Sequence, residues 1–325
     1  MRKVSVLVIA IICVTIFYFT IVSAVKVFRS NWQLPESTDQ AEIKNRIILI
    51  TQGLDTPFWD KVSEGALNQA KEEGARLEVW GSIGNNQEDF LKKIDIAIYS
   101  KVDGIIVQGL DTDEFKELTK VKAAAYGIPV ITVANDVPMA ESLRRTYVGS
   151  NQYRSGKIIA KQLIDDMGQV GKVVLLIDNR NEYYQTQRLE GITDLLSRYP
   201  NIELIEAVTG DRREEVIETT KNVMNQHPNI DALITVNAKF TGDMVEEIER
   251  RSKVEPYYIY SFDDDPVPLS LLREGKIDGM IEQSPEMMGE LSVTLVMKWL
   301  SGEMLPLDLK GYLTDIRMVK QEDVQ

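Results

Sequence analysis

A chain of 325 residues, 44% hydrophobic and 27% charged, has the balance of a folded globular protein and the length for two ordinary domains. Its formal net charge of -13 argues against a nucleic-acid partner, since phosphate contacts need a basic face. Cys13 is the only cysteine and His227 the only histidine, so a disulfide framework and a cysteine-based metal site are excluded and little material remains for a zinc site or a Ser-His-Asp triad.

The chain opens with Arg2 and Lys3, followed by a nearly uninterrupted apolar run over residues 4–25. At a rise of about 1.5 Å per residue such a run spans a bilayer, and the leading positive charges favour a cytoplasmic N-terminus. A cleaved signal peptide has a similar layout: Val22-Ser23-Ala24 offers small residues for cutting after Ala24, which would leave a secreted or periplasmic protein. The run exceeds the usual signal core, so the expectation is an uncleaved single-pass anchor that holds the rest at the outer face of the cytoplasmic membrane. Cys13 follows Ile11-Ile12 and is a poor lipoprotein site. Residues 26–45 then form a linker, polar from Asn31 onward and containing Pro35, Ser37 and Thr38.

From Arg46 the pattern becomes strand, loop, helix, repeated. Expected strands lie at residues 46–51, 75–80, 103–108 and 129–133, with helices at 57–73, 87–99 and 113–126. Gly74 and Gly127 follow helix ends, where a left-handed residue is wanted. A second series places strands at 172–177, 202–208, 231–236, 257–261 and 279–282, and helices at 155–167, 183–198, 214–226 and 241–251. A last helix near 286–300 and an extended piece at 311–319 close the chain. Alternating apolar strands and helices imply parallel sheets covered on both faces, and two such series imply two similar lobes.

Within the first unit, the β-branched run from Ile47 leads through Gly53 to Thr56-Pro57, a helix-start signal in which Thr can cap and Pro fits the first helical position. Phe58 and Trp59 fall in that first turn, at the carboxyl end of a parallel strand, where open α/β sheets bind ligands. Ring faces beside hydrogen-bonding groups suit a sugar, with its apolar C–H faces and hydroxyl edges. The same rings could equally staple the helix to the sheet.

Other expected strand ends also carry polar groups: Gln52, Gln108, Asn135 with Asp136, Asn237, Asp263 and Gln283. A rim of amides and carboxylates donates and accepts at once, as hydroxyls require. Helix capping explains any one of these residues but the set less well, since glutamine caps poorly. After the strand at 172–177 come Asn179-Arg180 and, in the next helix, Arg188, whose planar fork suits vicinal hydroxyls or a carboxylate. The run Asp263-Asp264-Asp265 precedes Pro266; consecutive residues point apart, so one ligand-facing Asp with capping neighbours is favoured over a metal site. No phosphate-cradling glycine loop and no Gly-x-Ser-x-Gly elbow is present, so a binding protein without cofactor is favoured over an enzyme.

Taken together, Thr56-Pro57-Phe58-Trp59, Asp103-Gly104-Ile105-Ile106-Val107, Gly127-Ile128-Pro129-Val130-Ile131-Thr132-Val133, Tyr147-Val148-Gly149-Ser150-Asn151, Arg188-Leu189-Glu190-Gly191, Phe262-Asp263 and Gln283-Ser284-Pro285, in this order and spacing, resemble the periplasmic sugar-binding proteins of the ribose-binding type, whose lobes also occur in lactose-repressor-like regulators. The resemblance implies a type I periplasmic binding protein: two Rossmann-like α/β lobes, 46–150 with 284–311 and 151–283 with 312–325, joined by a three-segment hinge with the ligand in the cleft. It implies ligand contacts from Gln52, Thr56, Phe58, Trp59, Gln108 and Asn135 in the first lobe and from Arg188, Asn237 and Asp263 in the second, with Gln283 at a hinge. The chain departs from the ribose pattern at Ala134, where an Asp is usual, so that Asn135 or Asp136 would substitute, and at Gly210, where an aromatic often stacks on the sugar. No DNA-binding headpiece precedes Arg46, against a repressor role. The implied partners are a small sugar and, at the membrane, either the permease of an ABC-type importer or a sensor histidine kinase.

Overall fold

The computed structural model describes residues 14–21, 45–84, 86–180, 182–251, 257–263 and 265–324. The chain divides into two compact units, Met1–Glu42 and Ile43–Gln325. In the first, residues 14–21 are helical; the rest of the apolar run at 4–25 and the linker up to residue 44 lie outside the described residues. Among the described residues no helix is long and apolar enough to cross a membrane.

The second unit contains both expected lobes, each built on a six-stranded sheet. In the first lobe β1 (Arg46–Thr51), β2 (Arg76–Gly81), β3 (Gly104–Gln108), β4 (Val130–Val133) and β5 (Thr146–Gly149) are joined late in the chain by β11 (Tyr312–Leu313), in the order β11-β5-β4-β3-β1-β2. All of its pairings are parallel. Ile47, Ile48, Leu49 and Ile50 are wholly buried. Because side chains alternate along a strand, Ile48 and Ile50 meet Phe90 and Phe115 on one face, while Ile47 and Leu49 meet Val62 and Val296 on the other. Helices on both faces are therefore what lets β1 be a continuous apolar run.

The second lobe repeats this plan with β6 (Gly171–Asp178), β7 (Ile202–Thr209), β8 (Ala232–Thr235), β9 (Tyr258–Phe262), β10 (Gly279–Glu282) and β12 (Arg317–Val319), in the order β12-β10-β9-β8-β6-β7. Only β12 runs antiparallel to its neighbour. The chain passes between sheets three times: from β5 to β6, from β10 to β11, and between β11 and β12. The lobe boundary expected after residue 311 is corrected here, because Tyr312 and Leu313 still pair with Val148 and Gly149 of the first sheet.

Two helix pairs pack closely, one in each lobe. α1 (Pro57–Glu72) lies against α9 (Pro285–Ser301). A methyl on Gly65 would stand 2.2 Å from the Glu286 carbonyl oxygen, and one on Gly289 2.0 Å from that of Val62. In the second lobe α4 (Gln152–Met167) lies against α5 (Tyr183–Leu196) through Gly156 and Gly191. Glycine allows these backbones to approach to a distance that any side chain would forbid.

The helix expected at 113–126 begins as α3 (Asp113–Lys116) and continues as a π-helix over Glu117–Ala123, with the Thr119 hydroxyl donating to the Phe115 carbonyl at 2.9 Å. The fourth helix starts at Gln152 rather than 155, because Asn151 caps it by accepting from the Arg154 N–H at 2.8 Å. β5 and the helix Pro266–Arg273 were not expected.

Candidate functional site

Loops at the strand ends of both sheets enclose a cavity of about 700 Å³. It is lined by Gln52, Thr56, Phe58, Trp59, Gln108 and Asn135 from the first lobe and by Arg188, Asn237, Asp263 and Gln283 from the second. Asp136 is the one expected site residue that does not face it. Its carboxylate accepts from the Thr132 hydroxyl at 2.7 Å and pairs with the Arg144 guanidinium at 2.6 Å. Arg144 in turn donates to the Leu309 carbonyl at 3.0 Å, so Asp136 braces the end of β4 against the returning chain, away from the cavity lining.

The first-lobe wall starts where β1 and β3 end. The Thr51 hydroxyl and the Gln52 N–H both donate to Gln108 Oε1, at 3.0 and 2.9 Å. Gln52 Nε2 is buried with no hydrogen-bond partner among the described residues. Leaving such a group unsatisfied costs roughly 1–3 kcal/mol, and this one belongs to a residue at the cavity wall. Thr56 does not cap α1: its hydroxyl donates to the Gly53 carbonyl at 2.9 Å and tightens the loop instead. Phe58 and Trp59 meet edge to face, with centroids 5.5 Å apart. Trp59, 7% exposed, belongs to the lobe core and also presents surface to the cavity.

Ala134 adopts a left-handed backbone at φ 62° and lines the cavity. The Tyr147 hydroxyl lies 2.9 Å from its carbonyl oxygen and 3.0 Å from that of Ser150, tying the cavity wall to the first crossing. Burial pushes the Tyr147 phenol well up, so it stays a neutral donor. Beside it, Asn135 Nδ2 reaches across the cavity to Glu182 Oε2 at 3.3 Å.

In the second lobe, Gln152, Arg188, Asp263 and Gln283 close a polar ring. Arg188 grips Asp263 with both terminal nitrogens, at 3.1 and 2.7 Å, and donates through Nε to Gln152 Oε1 at 2.8 Å. Gln152 Nε2 donates to Gln283 Oε1 at 3.4 Å, and Gln283 Nε2 donates back to Asp263 Oδ1. A further Arg188 N–H goes to the Val236 carbonyl at 2.8 Å. Of the five donors of a guanidinium, these bonds use four. The guanidinium carbon of Arg188 lies over the rings of Phe262 and Tyr184, 4.3 and 4.9 Å from their centroids. Its fork therefore holds Asp263 in place and leaves one N–H beyond the bonds described. Asn237 serves as a cap, accepting from the Lys239 N–H at 3.1 Å, while its Nδ2 donates to the Tyr184 hydroxyl at 3.2 Å. In the acidic run Asp263 is taken by Arg188, and Asp264 lies outside the described residues.

Sequence reasoning did not place Gln152, Arg180, Glu182 or Tyr184 at the cavity, which all four line. Arg180 stands in the loop after β6. Its guanidinium clasps the fully buried Asp178, with Nε 3.1 Å from both carboxylate oxygens. Glu182 occupies the capping position of α5 without making a cap bond, and it was not singled out. Its carboxylate is 17% exposed and 3.7 Å from Arg180. Burial raises its pKa above the usual carboxylate value, and the Arg180 charge partly opposes that rise. Burial also raises the Tyr184 phenol.

A family model described as a periplasmic binding protein domain matches residues 47–304. This chain belongs to that family. Among curated relatives of this periplasmic binding protein, the ribose import binding protein RbsB of Salmonella typhimurium is 23% identical over 275 residues, covering 83% of this chain and 91% of the relative. Among solved structures, GanP, a glucose-galactose binding protein from Geobacillus stearothermophilus, superposes with a TM-score of 0.80 at 26% identity, covering 86% of this chain and 98% of GanP. XylFII, solved in complex with LytSN, gives 0.76 at 28% identity, covering 87% of this chain and 100% of that one. Together they make this a binding protein of the ribose type rather than an enzyme. Gly210, its departure from the ribose pattern, does not line the cavity; a methyl there would stand 2.0 Å from Glu215 Oε2.

Proposed function

We propose that this periplasmic binding protein is an extracytoplasmic receptor that closes on a small sugar and serves as the substrate-binding component of an ABC-type importer. The carrying observation is the cavity itself: an aromatic pair, Phe58 and Trp59, on one wall, opposite the ring of Gln152, Arg188, Asp263 and Gln283. Stacking faces, amide donors and carboxylate acceptors are what a polyhydroxylated ring requires. Relatives named for ribose import and for glucose and galactose binding support the same class. Ala134, which lines the cavity where an Asp is usual, weighs against ribose itself.

The test is thermal melting against a panel of aldoses and polyols. A ligand at about 100 times its dissociation constant adds about 2.7 kcal/mol of stability, a clear upward shift in melting temperature. A broad panel with no shift would count against a sugar ligand.

The complex of XylFII with LytSN shows a relative of this fold pairing with a second protein. A second reading with the same general layout, a receptor docked on a partner protein, makes the chain a membrane-anchored co-receptor for a sensor histidine kinase. That reading requires residues 4–25 to stay attached, confining the receptor near its partner. Sequencing the mature N-terminus decides this: a chain starting at Val25 in the soluble exported fraction has no anchor.

A further inference from the structure

The cavity's charges do not balance locally. Five acidic and three basic side chains line it. Four of these eight are matched in ion pairs: Arg188 holds Asp263 at 2.7 Å, Lys239 faces Asp211 at 3.5 Å, and Asp243 pairs with Arg213 at 2.6 Å. Arg180 is different. It spends its fork on Asp178, a carboxylate with no exposed surface beneath the cavity wall. Glu182 then meets only the far edge of that guanidinium, at 3.7 Å, beyond hydrogen-bond range. Two carboxylates thus share one cation, and Glu182 is the one at the cavity.

Its hydrogen bonding points the same way. Among the described residues its donor is Asn135 Nδ2 at 3.3 Å, a long bond from a neutral amide. A carboxylate has about four acceptor positions, and a mostly buried one is unfavourable until they are filled. Among the described residues the first-lobe wall gives no compensating cation: Gln52, Thr56, Gln108 and Asn135 are neutral, and Asp136 is turned to Arg144.

We propose that Glu182 makes this cavity selective for a sugar or cyclic polyol that carries an amine, its carboxylate receiving the ligand's ammonium group. The proposal rests on the sugar-receptor reading above and narrows its substrate class. Bonds to a charged donor are about twice as strong as neutral ones, so an ammonium gains more from this carboxylate than a hydroxyl at the same place. The raised Glu182 pKa accords with a carboxylate short of positive charge.

The experiment is titration calorimetry of the purified protein near neutral pH with glucosamine, galactosamine and mannosamine, each beside its neutral parent sugar. At least one amino sugar is expected to bind on the order of tenfold more tightly than its parent. Glu182→Gln keeps an acceptor for Asn135 while removing the charge, so it should bring that ratio near one, chiefly by weakening the amino sugar. Melting curves establish that the variant is folded, and the wild-type ratio is a test that needs no variant. Neutral parents binding as tightly as their amino analogues overturns the proposal, as does a ratio that Glu182→Gln leaves unchanged. Either result leaves the sugar-receptor reading standing. Failure of every sugar, neutral and aminated, overturns that reading and this proposal with it.

Discussion

Asp263 has a left-handed backbone, φ 66°, which non-glycine residues adopt rarely, yet its side chain is gripped by Arg188 and Gln283. The strain is held by that grip. Arg188 is 2% exposed, and this carboxylate compensates its buried charge. Removing one member of a buried ion pair costs about 3–5 kcal/mol, because the other is left uncompensated. Asp263→Ala should therefore lower stability by about that amount in urea unfolding as well as weaken sugar binding, whereas Asp263→Asn, which keeps an acceptor, should lose less of both. Equal unfolding midpoints for Asp263→Ala and wild type would show that Arg188 finds another partner. These two residues were legible in the sequence because a strand-end Asp and a helical Arg are conspicuous. Gln152 and Glu182 were not, since each stands at the start of a helix and reads there as an end residue. Their roles come from partners 131 and 47 residues away, Gln283 and Asn135, which no local pattern reports.

Arg188 and Tyr184 owe their positions to the helix that carries them. α5 is seated on α4 with the Arg188 carbonyl against Gly156, and the facing contact places the Tyr153 carbonyl against Gly191. A methyl on Gly156 would lie 2.1 Å from the Arg188 oxygen, so Gly156→Ala must push α5 outward. Overpacking of this kind costs about 1–3 kcal/mol. We expect a lower melting temperature together with weaker sugar binding, because both cavity residues move with their helix. Gly289→Ala crowds the α1–α9 contact instead, and should destabilise the protein without displacing α5. Equal effects of the two changes on affinity would break the link between helix seating and the site. Most elements were readable because their apolar periods are long and well punctuated. β5 escaped because it has four residues and follows Arg144-Arg145; its burial comes from β4 and β11 on either side. The helix Pro266–Arg273 escaped because Pro266 and Pro268 look like a loop. Both fall in its first turn, where backbone N–H groups have no intrahelical acceptor to lose.

Each lobe is completed by chain that comes from the other. α9 and β11 return to the first lobe after the second has formed, and β12 then pairs with β10. Three crossings join the lobes, an arrangement in which a few hinge residues can let one lobe rotate against the other. Tyr147 holds the first crossing at Ser150, and Gln283 ties the second to the polar ring, so the ligand wall and the hinge share residues. On the cavity side, the Asn135–Glu182 bond joins the lobes directly. A bond of this kind is worth about 0.5–1.5 kcal/mol net, which shifts a closed-to-open ratio roughly twofold to tenfold. Asn135→Ala should therefore increase the radius of gyration of the ligand-free protein in small-angle scattering. Saturating sugar should remove the difference, since binding energy from both walls again favours closure. The two readouts separate two roles for Asn135. An unchanged ligand-free radius with weaker binding would mean that it acts on the ligand alone and that the bond to Glu182 has no part in closing the lobes.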